Sequence, residues 1–210
     1  MKTILYYTSN QENPEFERKI QANIVKQTNL PIVSVSQKPI DFGENFCVGD
    51  VGGSYFNEWR QILIGLKEID TKYVVFAESD FLYPKDYFDF EPKDKINRYD
   101  NVWIVFNYKG FGGYNRKKYS EGAQICDREY LIEKYEEFFQ GLPEWSLARM
   151  GKDNYPLFGE AFSWFGGDPC ISFKTGQGVR CMTNTLKEKE ASLPYWGDIT
   201  KLKEEYLWKT

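Results

Sequence analysis

Two carboxylates stand where a buried strand gives out. Tyr73-Val74-Val75-Phe76-Ala77 is a continuous apolar run that ends in Glu78-Ser79-Asp80, with Pro84 close behind. Runs of this length are strands buried on both faces, and a proline shortly afterwards stops the ladder. If the strand continues through the acidic triplet, Glu78 and Asp80 leave the same face, because side chains alternate with period two. Paired hard oxygens of that kind hold Mg²⁺ or Mn²⁺ and leave positions open for phosphate oxygens and water. The competing reading is a solvated acidic turn, a common way to end a strand.

The rest of the composition narrows the chemistry further. The 210 residues include no histidine, which removes the Ser-His-Asp triad, the Cys-His dyad, H-E-x-x-H zinc sites and histidine general bases together. Catalysis must run on carboxylates, cations, hydroxyls or a metal held by oxygen. Lys+Arg 27 against Asp+Glu 31 leaves a formal charge of −4, so the chain as a whole lacks a polyanion-binding balance, although a local basic patch is compatible with it. With 41% hydrophobic and 28% charged residues it can build a core. Cys47, Cys126, Cys170 and Cys181 form no C-x-x-C pair and read as buried thiols. Apolar character lapses after Ile4-Leu5-Tyr6-Tyr7, too soon for a signal peptide, and no run approaches the ~20 residues of a membrane helix. A cytoplasmic location is expected.

The elements that must position the carboxylates follow from patterning. Ile4 to Tyr7 reads as a buried strand ending in Thr8-Ser9-Asn10. Asn13 can cap a helix with Pro14 at its first position, carrying Phe16, Ile20 and Ile24 on one face. Ile32 to Ser36 follows as a second strand, completing a βαβ unit with a parallel sheet. After a glycine-rich stretch from Gly43 to Gly53, Ser54 caps the clearest helix, with Trp59, Ile62, Leu63, Leu66 and Ile69 at helical spacing. Val102 to Tyr108 reads as a strand, Gly110 to Tyr119 as a loop, and Ala123 to Cys126 as a short strand. A helix capped by Asp127 stops at Gly141. Later periodicity supports only a strand near Ile171 to Phe173 and a helix near Ile199 to Leu207.

Beyond this patterning, the chain resembles a known family. A first strand ending in small polar residues, a helix opening with Gly-Ser and a strand ending in an acid-x-acid motif look like a glycosyltransferase of the GT-A fold. Gly53-Ser54-Tyr55, Gln61 to Leu66 and Tyr73 to Pro84 resemble, more closely, a family of small glycosyltransferase-like proteins frequent in tailed phages. Its glutamate-x-aspartate, a variant of the D-x-D motif, is followed by an aliphatic residue and Leu-Tyr. Gln124 to Glu129 and Leu193 to Gly197 also look like its segments. The resemblance implies one α/β domain over 1–210, with a mostly parallel mixed sheet and helices on both faces. The donor-binding half is about 1–108, and the acceptor and catalytic half about 109–210. It implies a nucleotide-sugar donor, a UDP-sugar first among them, and Mn²⁺ or Mg²⁺ on Glu78 and Asp80. Thr8, Ser9, Asn10 and Glu12 would contact the donor's base and ribose, Ser54 and Arg60 its diphosphate, and Glu78 would serve donor and metal alike. Where the family often has Asp-Ile-Arg-His-Gly, this chain has Ser172-Phe173-Lys174-Thr175-Gly176, so the third metal ligand is missing. Either Asp80, with Glu78, holds the metal together with diphosphate and water, or Lys174 and Arg180 neutralise the leaving group. Ordinary surface cations would account for Lys174 and Arg180 equally well.

Inverting transfer to a hydroxyl needs a base, and without histidine it must be a carboxylate. The GT-A order points to Glu160 or Asp168. Glu160 is preferred because Phe158, Phe162, Trp164 and Phe165 around it in sequence would raise its pKa. Residues 108–119 combine four cations, four aromatics and three glycines, a composition suited to a lid or a basic aromatic contact surface. Lys109, Tyr114, Arg116, Lys117 and Lys118 are its candidate acceptor-binding residues, although an exposed hairpin accounts for the composition too. With the phage-type resemblance, the expected acceptor is a hydroxymethylpyrimidine flipped out of phage DNA in the host cytoplasm, a DNA-modification role. A glycan or a cell-surface polysaccharide precursor is the alternative acceptor. A nucleotidyltransferase and a non-catalytic sugar-binding relative are the alternative functions.

Overall fold

The structure, a computed structural model, describes residues 1–108, 111–118, 120–148, 161–173 and 189–207. Strand β1 (Lys2–Thr8) leads into helix α1 (Pro14–Gln27), whose first turn is capped by Asn13 Oδ1, accepting from the Glu15 and Phe16 amides at 2.9 and 3.2 Å. β2 (Ile32–Ser36) and β3 (Glu44–Cys47) follow, then α2 (Tyr55–Glu68) with Ser54 as its cap. β4 (Tyr73–Glu78) turns through Ser79-Asp80 into β5 (Phe81–Leu82) and the short α3 (Lys85–Asp89). β6 (Ile96–Tyr99), β7 (Val102–Tyr108), β8 (Phe111–Lys118) and β9 (Gln124–Asp127) precede α4 (Arg128–Phe139), capped by Asp127. Last come β10 (Phe162–Trp164), β11 (Cys170–Ser172), β12 (Lys189–Glu190), β13 (Ser192–Leu193), β14 (Gly197–Asp198) and α5 (Ile199–Tyr206).

Seven strands form the main sheet in the order β10-β6-β9-β4-β1-β2-β3. β1 to β4 run parallel, β9 runs antiparallel to both of its neighbours, and β10 is parallel to β6. The expected mostly parallel mixed sheet is therefore present, with β9 as its one reversed strand. Successive β1 residues pack on opposite layers: Ile4 and Tyr6 with α1 and α5, Leu5 and Tyr7 with α2 and α4. Helices thus cover both faces. Because six strands end at one edge of this sheet and β9 begins there, Thr8, Glu78, Tyr99 and Trp164 all arrive at a common carboxyl edge.

A second sheet, β12-β8-β7-β11-β5, was not anticipated from patterning. The segment read as a loop from Gly110 to Tyr119 contains β8, which pairs antiparallel with β7 from Val102↔Lys118 to Tyr108↔Phe111. Two glycines and a run of cations mask its alternation, yet cross-strand pairing with β7 satisfies its backbone. It is a hairpin arm rather than a lid. Cys126 and Cys170 are buried free thiols as expected, whereas Cys47 is a free but exposed one on edge strand β3.

Gly65 sets how closely α2 lies on the sheet. A Cβ there would sit 2.3 Å from Leu5 Cδ1 and 2.9 Å from Val35 Cγ2, with no room on the strand side. Gly65→Ala gains helix propensity but overpacks the layer, and it should lower stability by about 1–3 kcal/mol in urea unfolding. An unchanged midpoint would mean that α2 can slide.

Candidate functional site

Glu78 closes β4 in the middle of the carboxyl edge. Tyr7 donates its hydroxyl to Glu78 Oε1 at 3.0 Å, while the Glu78 amide donates to Tyr83 Oη at 2.9 Å and that hydroxyl donates to the Gly122 carbonyl at 2.6 Å. A Cβ on Gly122 would lie 2.4 Å from the Glu78 carboxylate carbon, so glycine is what lets the β8–β9 connection close against this side chain. Burial pushes the Tyr83 phenol well up, which keeps it a neutral donor at this position.

Asp80 takes a different course. Ser79-Asp80 is a turn, so the strand alternation does not carry through the triplet and the two carboxylates are not a same-face pair. Glu78 is the carboxylate of the triplet that meets Tyr7. The Asp80 carbonyl accepts from the Phe173 amide at 2.9 Å, fixing the end of β11 beside the turn. Its carboxylate makes no hydrogen bond to any described residue. Among the described residues no group of three or more His, Cys, Asp or Glu could hold a metal ion.

The end of β1 contains a carboxylate that patterning missed. Glu17, buried in the first turns of α1, accepts from Tyr6 Oη at 2.8 Å, and the Thr8 hydroxyl also bonds to it. Burial raises its pKa, and the two hydroxyls pull it part of the way back. The available signal was position: residue 17 follows Phe16 and precedes Ile20 by three, so it lies on the apolar side of the helix. Thr8 also receives the Asn10 amide at 2.9 Å. Asn10 adopts φ 53, and its Oδ1 accepts from the Gln37 and Lys38 amides at 2.8 and 2.7 Å. Asparagine tolerates this left-handed backbone. Here it ties the β1–α1 connection, which also contains Ser9 and Glu12, to the loop after β2. Gln61 donates to the Thr8 carbonyl at 2.9 Å, and Gln37 bonds to Gln61 and to the Gly52 backbone. These buried amides hold the glycine-rich loop against the same edge.

Ser54 and Arg60 are engaged elsewhere. Ser54 Oγ donates to the Ser146 carbonyl at 2.6 Å while capping Asn57, and Arg60 donates to the Glu144 and Pro143 carbonyls at 2.9 and 2.8 Å with its guanidinium 3.6 Å from the Phe139 ring. Both fasten the segment after α4 onto α2. Burial lowers the Arg60 pKa.

Asp168 follows β10 at the carboxyl edge and meets a second unforeseen partner. Its amide donates to Asp86 Oδ2 at 3.2 Å, and Tyr99 Oη lies 3.2 Å from both Asp86 oxygens while also donating to the Asp168 carbonyl. Burial first, and the Asp86 charge second, raise the Asp168 pKa. A Cβ on Gly166 would fall on the Tyr99 hydroxyl, so glycine admits this contact as well.

In the β7–β8 arm, Tyr114 is fully buried and its ring offers no face to an acceptor. The Arg116 guanidinium lies 5.4 Å from the Phe165 ring, and Lys117 donates to Ser120 Oγ at 2.7 Å. Lys118 is placed as a β-strand residue only. Lys109, Glu160, Lys174 and Arg180 lie outside the described residues, Lys174 directly after Phe173.

No family model matches the chain, and no curated protein matches it by sequence. Among solved structures it is similar to HddC from Yersinia pseudotuberculosis, at 8% identity and a TM-score of 0.51, covering 82% of this chain and 94% of that one. It is similar also to 4-diphosphocytidyl-2C-methyl-D-erythritol synthase from Anaerococcus prevotii, at 11% identity and a TM-score of 0.50, covering 79% and 89%. The fold is GT-A and nucleotidyltransferase-like. A weaker likeness links it to the glycosyltransferase GlyE of Streptococcus pneumoniae, at 11% identity and a TM-score of 0.42, covering 73% of this chain and 41% of that one. The chain spans about half the length (49%) of the bifunctional IspDF from Campylobacter jejuni, which it also matches. Among the described residues no helix is long and apolar enough to cross a membrane.

Proposed function

We propose that the chain is a nucleotide-sugar-dependent glycosyltransferase working at the carboxyl edge. The observation that carries this is the Asp80 carboxylate, which stands at the end of a central strand of a GT-A-like sheet with no hydrogen bond to a described residue. Ligands of open α/β sheets collect at that edge. The family resemblance of Tyr73 to Pro84 supports the same reading.

A divalent ion of the Mn²⁺ or Mg²⁺ type fits one free carboxylate, because such ions are held by one or two carboxylates plus substrate phosphates. Asp80 would hold it, and Glu78, held by Tyr7, would line the same edge. When bound, the ion neutralises charge on the departing diphosphate. The β1–α1 connection, through Ser9 and Glu12 with Thr8 and Asn10 shaping it, receives the base and ribose of a UDP-sugar. Lys174 and Arg180, which follow β11 in sequence, are the candidate cations for the diphosphate.

The base that takes the acceptor's proton in an inverting transfer is Asp168, with Glu160 as the other carboxylate of this segment. Asp168 is supported by its place on the edge and by a pKa raised toward the range useful for a base. The acceptor is a sugar hydroxyl. A hydroxymethylpyrimidine in DNA is less well supported, because Lys117 is bonded to Ser120, Arg116 lies over Phe165 and Tyr114 is buried.

A thermal-shift panel of UDP- and GDP-sugars and nucleoside triphosphates, with and without Mn²⁺, tests the reading. One nucleotide sugar with Mn²⁺ should raise the melting temperature, a ligand at 100 times its Kd contributing about 2.7 kcal/mol. A response confined to a triphosphate would assign a nucleotidyltransferase instead, and silence toward every nucleotide would leave a non-catalytic relative.

A further inference from the structure

A groove of about 680 Å³ lies between α1 and the β13–β14 turn with α5. α1 contributes Lys19, Asn23, Lys26 and Gln27 to one wall. The facing wall is aromatic: Tyr195, Trp196 and Tyr206.

Tyr195 is the unusual member. It sits in the three-residue connection between β13 and β14 at φ +70, a left-handed conformation that suits glycine or asparagine and that L side chains adopt only at a cost. The core gains nothing from this strain, because the ring is 52% exposed. What it achieves is placement. The Tyr195 hydroxyl accepts from Gln27 Nε2 at 2.8 Å across the groove, and its ring stands at 80° to Trp196, with centroids 4.7 Å apart. Trp196 is anchored in turn by donating to the Pro169 carbonyl at 2.5 Å. The result is a braced aromatic plane facing solvent.

Opposite it stand donors with capacity to spare. Asn23 Oδ1 accepts from the Tyr83 amide at 3.0 Å, while its Nδ2 donates to no described residue, and the Lys26 ammonium likewise meets no acceptor among the described residues. Lys19 closes one end by donating to the Glu205 carbonyl at 2.7 Å. A fixed ring plane facing planar amide and ammonium donors, in a groove within the size range of ligand sites, matches the surface of a pyranose: an apolar face to stack and hydroxyls to accept and donate.

We propose that this groove is a second carbohydrate site, which takes a short stretch of oligosaccharide and does so independently of the nucleotide site. Saturation-transfer NMR and titration calorimetry on the full chain, with chitohexaose and hyaluronan hexasaccharide as probes and no nucleotide present, test it. At least one probe should bind. Tyr195→Gly, which relieves the strained φ and so keeps the fold, should weaken that binding by about tenfold or more. Asp80→Ala should leave it unchanged, which separates this site from the proposed donor site. The proposal is overturned if neither probe binds, if Tyr195→Gly binds as the parent does, or if Asp80→Ala abolishes binding.

Discussion

Asp80→Ala should abolish Mn²⁺-dependent nucleotide binding and leave the fold as it is. The two halves of that expectation have separate origins. The Asp80 carboxylate makes no hydrogen bond to a described residue, and the backbone carbonyl that accepts from Phe173 survives in alanine, so stability should move by less than about 0.5 kcal/mol. Binding should move far more. An ion held by Asp80 would neutralise charge on the diphosphate, so losing that carboxylate should reduce affinity by ~10² or more. Glu78→Gln is the informative companion. Glutamine can still accept from Tyr7 and still pack on Gly122, so a smaller loss there would assign the metal to Asp80 and a positioning role to Glu78. Titrating a UDP-sugar into both variants at fixed Mn²⁺ checks this. Unchanged donor affinity in Asp80→Ala would remove the metal site from this edge.

That Asp80 can be singled out at all owes much to local sequence. The apolar run from Tyr73 to Ala77 announces β4, and Asn13-Pro14, Ser54 and Asp127 announce helix starts, because caps and periodicity are encoded within a few residues. β6 and β8 escape the same reading. Ile96-Asn97-Arg98-Tyr99 breaks the apolar pattern with a buried asparagine, whose amide is met by the 93–94 backbone and, across the sheet, by the Ile125 carbonyl, and β8 hides its alternation among glycines and cations.

The candidate site divides along the same line. Glu78 and Asp80 are visible because they adjoin a strong strand, although the turn that separates their directions is not. Asp86 and Asp168 are 82 residues apart and meet only because α3 and the end of β10 flank Tyr99. Ser54 and Arg60 looked poised for phosphate at a helix start, yet their partners come from residues 143–146, a contact no spacing rule contains. Side chains whose partners are local can be read from sequence, and those recruited by tertiary contacts cannot.

Asp168→Asn carries the second large effect, and its pH dependence makes it decisive. A general base works only when unprotonated, so the rate should rise with pH through the Asp168 pKa, which burial and then the Asp86 charge raise above the ordinary aspartate value. Replacing Asp168 by asparagine keeps the size and the backbone bonds to Asp86 and Tyr99 but removes the proton acceptor, so turnover should fall by ~10²–10⁴ while donor-induced stabilisation persists. The stability sign runs the other way. A carboxyl whose folded pKa is raised favours the native state below its unfolded pKa, and that contribution is lost as pH rises through the folded value. At neutral pH the asparagine variant should therefore melt no lower than the parent, and an activity loss cannot be blamed on unfolding. Asp86→Asn supplies the control that a merely structural role would fail. It removes the like charge but not the burial, so the acidic limb of the rate profile should shift to lower pH with the plateau retained. Full turnover in Asp168→Asn, or a limb that stays put in Asp86→Asn, would take the base away from Asp168 and leave Glu160 to be tested by Glu160→Gln.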